Sequence, residues 1–209
     1  AMEDLKNYYV DLGRTRGILP KDEMIPGEQL KMGSSVKVYI TKVESSTKGP
    51  VILCSRKHYG FVKRLLESEI PELQDGTIEL YSVAREAGIR SKVALISNNE
   101  KVDPIGACIG EKGIRIANIL KELNGEKIDL IKYDTDPVVF ITNALSPAKN
   151  ANVSITSEKD KTALAIVDDE NLPLAIGKKG SNVKLASKLT KYKIDVKTIS
   201  QITEEVNNR

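Results

Sequence analysis

A five-residue turn is written twice in this chain, as Ile109-Gly110-Glu111-Lys112-Gly113 and again as Ile176-Gly177-Lys178-Lys179-Gly180. Two glycines three apart mark many ordinary turns. Here the flanks repeat as well. Lys127-Ile128-Asp129-Leu130 follows the first turn and Lys193-Ile194-Asp195-Val196 the second, an offset of 67 residues at the glycines and 66 downstream. A chain of 209 residues accommodates one to three domains. A repeat of this period favours the higher number, because each copy is one small folding unit with its own core.

Each copy has the same order of periodic segments. In the first, residues 59–70 carry Phe61, Leu65 and Leu66 on one helical face, and Pro71 stops the helix. Strands are predicted at 77–84 and 91–97. Asp103 caps a short helix with Pro104 at its first position, which ends at Gly110. A second helix runs from Ile114 towards Gly125, and 127–132 is a strand. The order restarts with a helix from Asp136 to Leu145, strands at 151–156 and 162–167, a helix to Ile176, a helix to Leu189 and a strand at 192–199. The unit is α-β-β-α-α-β. A helix, a G-x-x-G loop and a second helix resemble the core of the KH module, whose loop clamps about four nucleotides, and strands preceding the loop resemble its bacterial variety. Glycines without Cβ atoms let a sugar-phosphate backbone approach the main chain, and the N–H groups that open the following helix face that anion. Lysine between the glycines adds charge, and Ile109 and Ile176 offer a base an apolar surface. The bland alternative is a helical hairpin whose glycines only permit a tight turn.

The first 58 residues alternate like strands, at Tyr8–Leu12, Gly17–Leu19, Val36–Val43 and Val51–Ser55, and read as a small β-barrel. With 40% hydrophobic but only 4% aromatic residues and no Trp, the cores must be built from Ile, Leu, Val and Ala, and stacking cannot be the main grip in the repeated part. Net charge is only +3, so its distribution matters more. From Gly177 to Lys197 there are seven Lys against one Asp; from Gly110 to Leu130 four basic residues face four acidic ones. The second unit is the stronger electrostatic element. Cys54 and Cys108 lie in different units and are read as buried apolar residues of a cytoplasmic protein, not as a disulfide or zinc site. No run is apolar and long enough for a transmembrane helix.

The text also contains Tyr9-Val10-Asp11-Leu12-Gly13, Ile18-Leu19-Pro20, Ser82-Val83-Ala84-Arg85-Glu86, Val102-Asp103-Pro104-Ile105-Gly106-Ala107-Cys108, Asn143-Ala144-Leu145-Ser146-Pro147-Ala148-Lys149 and Leu174-Ala175-Ile176-Gly177-Lys178. Over nearly its whole length the chain resembles the NusA family of transcription elongation and termination factors. The resemblance implies an S1-type OB-fold domain at 1–58, a first KH domain with a leading helix at 59–134 and a second KH domain at 135–209. It further implies binding of nascent single-stranded RNA in pausing, termination and antitermination. The implied partners are RNA polymerase, reached mainly through the family's N-terminal domain, and other transcription factors; neither cofactor nor membrane is implied, and the state is a monomer. That N-terminal domain is absent from the sequence, which opens almost at the second strand of the barrel, so an open side is expected. Ala1-Met2 reads as a remnant of cloning. Pro20 stands where many S1-type domains outside the family carry an RNA-facing histidine, and that role is not transferred.

Candidate RNA contacts are Ile109, Gly110, Glu111, Lys112, Gly113 and Arg115 in the first unit and Ile176, Gly177, Lys178, Lys179, Gly180 and Lys184 in the second. In the barrel they are Tyr9, able to stack a base or to pack in the core, and Arg56, able to hold a phosphate. His58, the only histidine, is a further contact or a connector. The linker between Leu130 and Val153, with its own helix and the Ser146-Pro147 step, is expected to hold the two units in one continuous track.

Two other functions compete with this reading. RNA-degrading phosphorolytic enzymes also carry KH and S1-type modules, but in the order KH then barrel and on a catalytic body that this chain lacks. No Walker A motif, G-x-G-x-x-G or histidine/cysteine metal cluster is written in the sequence, and Asp168-Asp169-Glu170 read as acids that cap a helix. The expectation is a binding protein, not an enzyme. The RNA-processing alternative also includes an RNA-binding appendage of a processing or degrading machine, and the second competitor is a KH pair that mainly docks protein.

Overall fold

The computed structural model describes residues 2–209; Ala1, one half of the dipeptide read as a cloning remnant, lies outside it. Five strands form the first sheet: β1 (Met2–Glu3), β2 (Asn7–Asp11), β3 (Arg16–Pro20), β4 (Tyr39–Ser46) and β5 (Gly49–Ser55), in the order β1-β2-β3-β5-β4. Their pairings are antiparallel except β3 with β5, where Gly17 and Ile18 run parallel to Ile52 and Leu53. Tyr8 and Val10 point inward from β2 with Leu19, Met24 and Cys54. Among the described residues no ladder joins β1 to β4, so the sheet stays open between them. One strand is corrected: the segment expected at 36–43 starts only at Tyr39, because the Lys37 carbonyl is taken by Arg56 Nη1 at 2.6 Å instead of a ladder partner.

The first repeated unit follows as α1 (Tyr59–Glu69), α2 (Pro71–Gln74), β6 (Ile78–Glu86), β7 (Arg90–Ser97), α3 (Pro104–Ile109), α4 (Ile114–Lys121) and β8 (Lys127–Lys132). Asp103 Oδ1 accepts the Ile105 N–H at 3.2 Å with Pro104 behind it, the expected cap. The second unit contains α5 (Pro137–Ala144), β9 (Asn152–Ser157), β10 (Thr162–Val167), α6 (Leu172–Ile176), α7 (Ser181–Thr190) and β11 (Lys193–Thr198), and α8 (Ile199–Asn207) follows it. The sheets run β6-β7-β8 and β11-β10-β9, each with one antiparallel and one parallel pairing. Pro71 ends α1 and at once opens α2, a short turn not foreseen, and α8 was not foreseen either.

Strand β7 explains how the units are joined. Its side chains alternate, so Val93 and Leu95 enter the core under α1, α3 and α4 while Ala94 enters the core of the second unit. Ala84 and Ile131 face the same way as Ala94 and meet Phe140, Ile141, Leu185 and Leu189. With both faces covered, β7 is buried from Ser91 to Leu95, including Lys92, which is 0% exposed. Lys92 Nζ is satisfied by Asp129 Oδ2 at 2.7 Å, its register neighbour on β8, and by the Ser146 carbonyl at 2.6 Å. Burial pushes the Lys92 ammonium pKa down, opposed by Asp129.

Candidate nucleic-acid interface

The two G-x-x-G loops have the same backbone. Gly110 sits at φ 77°, ψ 173° and Gly177 at φ 75°, ψ 173°; Lys112 and Lys179 are left-handed at φ 54° and 56°, and Gly113 and Gly180 at φ 72° and 75°. The amide of each last glycine donates to the carbonyl of the first at 3.1 Å. Glu111, Lys112, Lys178 and Lys179 are all exposed. Gly113 and Gly180 begin α4 and α7 with no side-chain cap; Ile114 is exposed at the first of these helix starts, whereas Ser181 and Asn182 are buried at the second. Ile109, 39% exposed, stands beside the first loop, and the half-buried Ile176 beside the second. Lys184 is exposed, with Nζ 3.3 Å from the Lys179 carbonyl.

Three candidates occupy places the sequence did not reveal. Arg56 is 3% exposed: its guanidinium binds Glu28 at 2.5 and 3.0 Å, the Lys37 carbonyl and the Glu122 carbonyl. It stacks over Phe61 at 5.0 Å and ties the first sheet to α4, so its assignment as a phosphate contact is corrected. Beside it, Arg85 pairs with Glu126, both nearly unexposed, and donates to the His58 carbonyl at 2.8 Å. Arg115 is engaged by Glu72 Oε2 at 2.7 Å and the Ala107 carbonyl at 2.8 Å, so its charge is already spent within the first unit. Tyr9 faces outward from β2 and is half-buried, and its hydroxyl donates to Asp4 Oδ2 at 2.6 Å. That bond, with the Lys6 and Asn7 amides, holds the Asp4 carboxyl below its ordinary pKa.

The structure also brings forward residues the motif did not name. A groove of about 500 Å³ is lined from the first unit by Ile89, Arg90 and Lys127 and from the second by Leu174, Lys178 and Lys179. Ile89 and Leu174 are exposed apolar residues there. Asn182, at the position equivalent to Arg115, donates to the Ala175 carbonyl at 2.9 Å and the Leu145 carbonyl at 3.1 Å, while its Oδ1 is buried without a partner. Asp168 accepts from the Asn171 backbone and side chain at 2.8 and 2.9 Å, which shapes the turn into α6. Among the described residues no helix is long and apolar enough to cross a membrane. Cys54 and Cys108 are free and buried, and burial pushes the Cys108 thiol up to about 12.

Residues 4–55 match the S1 RNA binding domain model, 56–133 the NusA-like first KH domain and 137–204 the NusA-like second KH domain. The chain is 51% identical over 202 residues to the transcription termination/antitermination protein NusA of Halalkalibacterium halodurans, covering 97% of this chain and 53% of that protein. It is 51% identical over 201 residues to the protein of the same name from Bacillus subtilis, covering 96% and 54%, and 48% identical over 188 residues to that of Thermus thermophilus, covering 90% and 48%. The chain thus spans about half the length of these relatives. Across its S1 domain and both of its KH domains, it belongs to the NusA family.

Proposed function

We propose that this chain holds single-stranded RNA on a track built by its two KH units and acts in transcription, as the RNA-binding part of a cytoplasmic factor that modulates pausing, termination and antitermination. The groove shared by the β6–β7 turn of the first unit and the second G-x-x-G loop carries the reading. Its lysines and exposed apolar side chains suit a phosphate backbone with bases lying against it, while Arg90 is paired with Asp129 at 2.6 Å and Glu86 also lines the groove. Two loops of matching dihedral angles, each opening an uncapped helix, supply the anion sites. The role is binding, with polymerase and other transcription factors as protein partners of a monomer.

The test is an anisotropy titration of labelled single-stranded RNA at two salt concentrations. A measurable affinity that falls as salt rises supports the track. No binding at low salt overturns it, and leaves protein docking as the role of the KH pair.

A further inference from the structure

Where the S1 domain meets α1, three rings lie in a stack that no KH loop explains. Tyr39 and His58 are 5.1 Å apart between ring centroids at 17°, and His58 and Tyr59 are 4.5 Å apart at 28°. The stack is held from behind. His58 Nδ1 accepts the Gly60 N–H at 2.9 Å, and the His58 carbonyl accepts from Arg85 at 2.8 Å. The Tyr39 ring fills the space over Gly60, where a Cβ would meet Cζ at 2.6 Å. The outermost ring, Tyr59, is 55% exposed.

Along the chain, the residues that flank this ring carry one sign of charge, although Arg56 is taken by Glu28 and Arg64 by Glu67. Residues 56–66 contain Arg56, Lys57, Lys63 and Arg64 and no acid. Lys57 and Lys63 are exposed and, among the described residues, neither has an ion-pair partner. Lys63 follows Tyr59 by one helical turn and shares its face. A held aromatic face with free cations beside it is the pairing that grips single-stranded nucleic acid without sequence preference. We infer that Tyr59, backed by His58 and Tyr39, stacks a base of single-stranded RNA, with Lys57 and Lys63 on the adjoining phosphates.

This inference rests on the RNA-binding reading above and extends it to a third site. Helix α4 runs back along α1: Arg56, just before α1, binds the Glu122 carbonyl at the end of α4, and Arg115, at the start of α4, binds Glu72 beyond the end of α1. Tyr59 therefore lies at the opposite end of α1 from the first G-x-x-G loop, about 16 Å away along an 11-residue helix. At about four nucleotides per KH unit, RNA of roughly eight fills the two loops and leaves Tyr59 untouched. RNA of about twenty reaches it.

The chain has no Trp, so Tyr59→Trp makes a protein with a single tryptophan at the site. Uridine RNA of about twenty nucleotides should quench its emission, and RNA of roughly eight should bind without quenching it. Tyr59→Ala should weaken the longer RNA roughly tenfold and the shorter one less than twofold, and Tyr59→Phe should restore the longer one. Equal binding of the longer RNA by Tyr59→Ala and the unchanged protein, with no quenching, overturns the site while the KH track stands. Quenching by poly-glutamate but not by RNA overturns it in favour of an acidic protein partner. If the unchanged protein binds neither length, the track itself fails and this site with it.

Discussion

Gly177 lies so close to Asn182 that a Cβ on the glycine would stand 2.7 Å from the Asn182 backbone nitrogen and 2.8 Å from its Cβ. The second loop is thus closed against the first turn of α7 by contact as well as by dihedral angle. At φ 75° and ψ 173° Gly177 is also in a region reserved for glycine. Gly180, at φ 75° and ψ 13°, has only the Lys184 side chain within 4 Å. Gly177→Ala should therefore cost about 3 kcal/mol and Gly180→Ala about 1 kcal/mol. Denaturant unfolding measures both, and equal losses would show that the contact with Asn182 is slack.

Lys178→Asp combined with Lys179→Asp should weaken RNA binding strongly while leaving the melting temperature nearly unchanged, since both side chains are exposed. If each lysine neutralises one phosphate, the slope of log affinity against log salt shrinks by roughly 1.4. Lys112→Asp should have a smaller effect, because Glu111 already offsets its charge. Unchanged affinity for the double variant would remove the second loop from the interface.

Arg56→Ala should act on stability and not on RNA. It strips Glu28 and two carbonyls of their partner in a nearly closed site, a change worth about 3–5 kcal/mol. Titration of a short RNA well below the melting temperature should give the affinity of the unchanged protein. A tenfold loss of short-RNA affinity with intact folding would return Arg56 to the interface.

The continuous track proposed for the two units should depend on packing more than on the linker. Ala84 is buried against the second unit from the outer face of the β6-β7-β8 sheet. Ala84→Glu places a charge in that junction while leaving the core beneath α1 and α4 alone. RNA of roughly eight nucleotides should lose most of its advantage over RNA of four or five, whose binding should persist. A Gly/Ser insertion between Ser146 and Pro147 should have the smaller effect, because the shared core still holds the units together. The reverse ranking in parallel titrations would make the linker the restraint.

Local chemistry made much of this legible. Asp103 and Asp136 cap their helices as their Pro neighbours suggest, and the repeated glycines adopt repeated dihedral angles. Helix α8 also had a signal, since Thr198 and Gln201 form a reciprocal capping box, but it lay beyond the repeat that guided the reading. These features depend on residues within one turn of each other, so the order of residues alone determines them.

Arg56, Arg115 and Lys92 are different. In sequence none of them shows its ionic partner, and Arg56 and Arg115 read as RNA contacts; in the structure the partners of the three lie 28, 43 and 37 residues away. Only tertiary packing decides whether such a charge meets solvent or a carboxylate, because its ionic partner is chosen by proximity in space. The same holds for the outer face of the β6-β7-β8 sheet. Alternation along β7 shows that Ala94 points away from Val93 and Leu95, but that α5 and α7 cover that face follows from the docking of one whole unit on another. The sequence by itself determined two KH units with their loops; the fold in space determined which cations remained free to serve them.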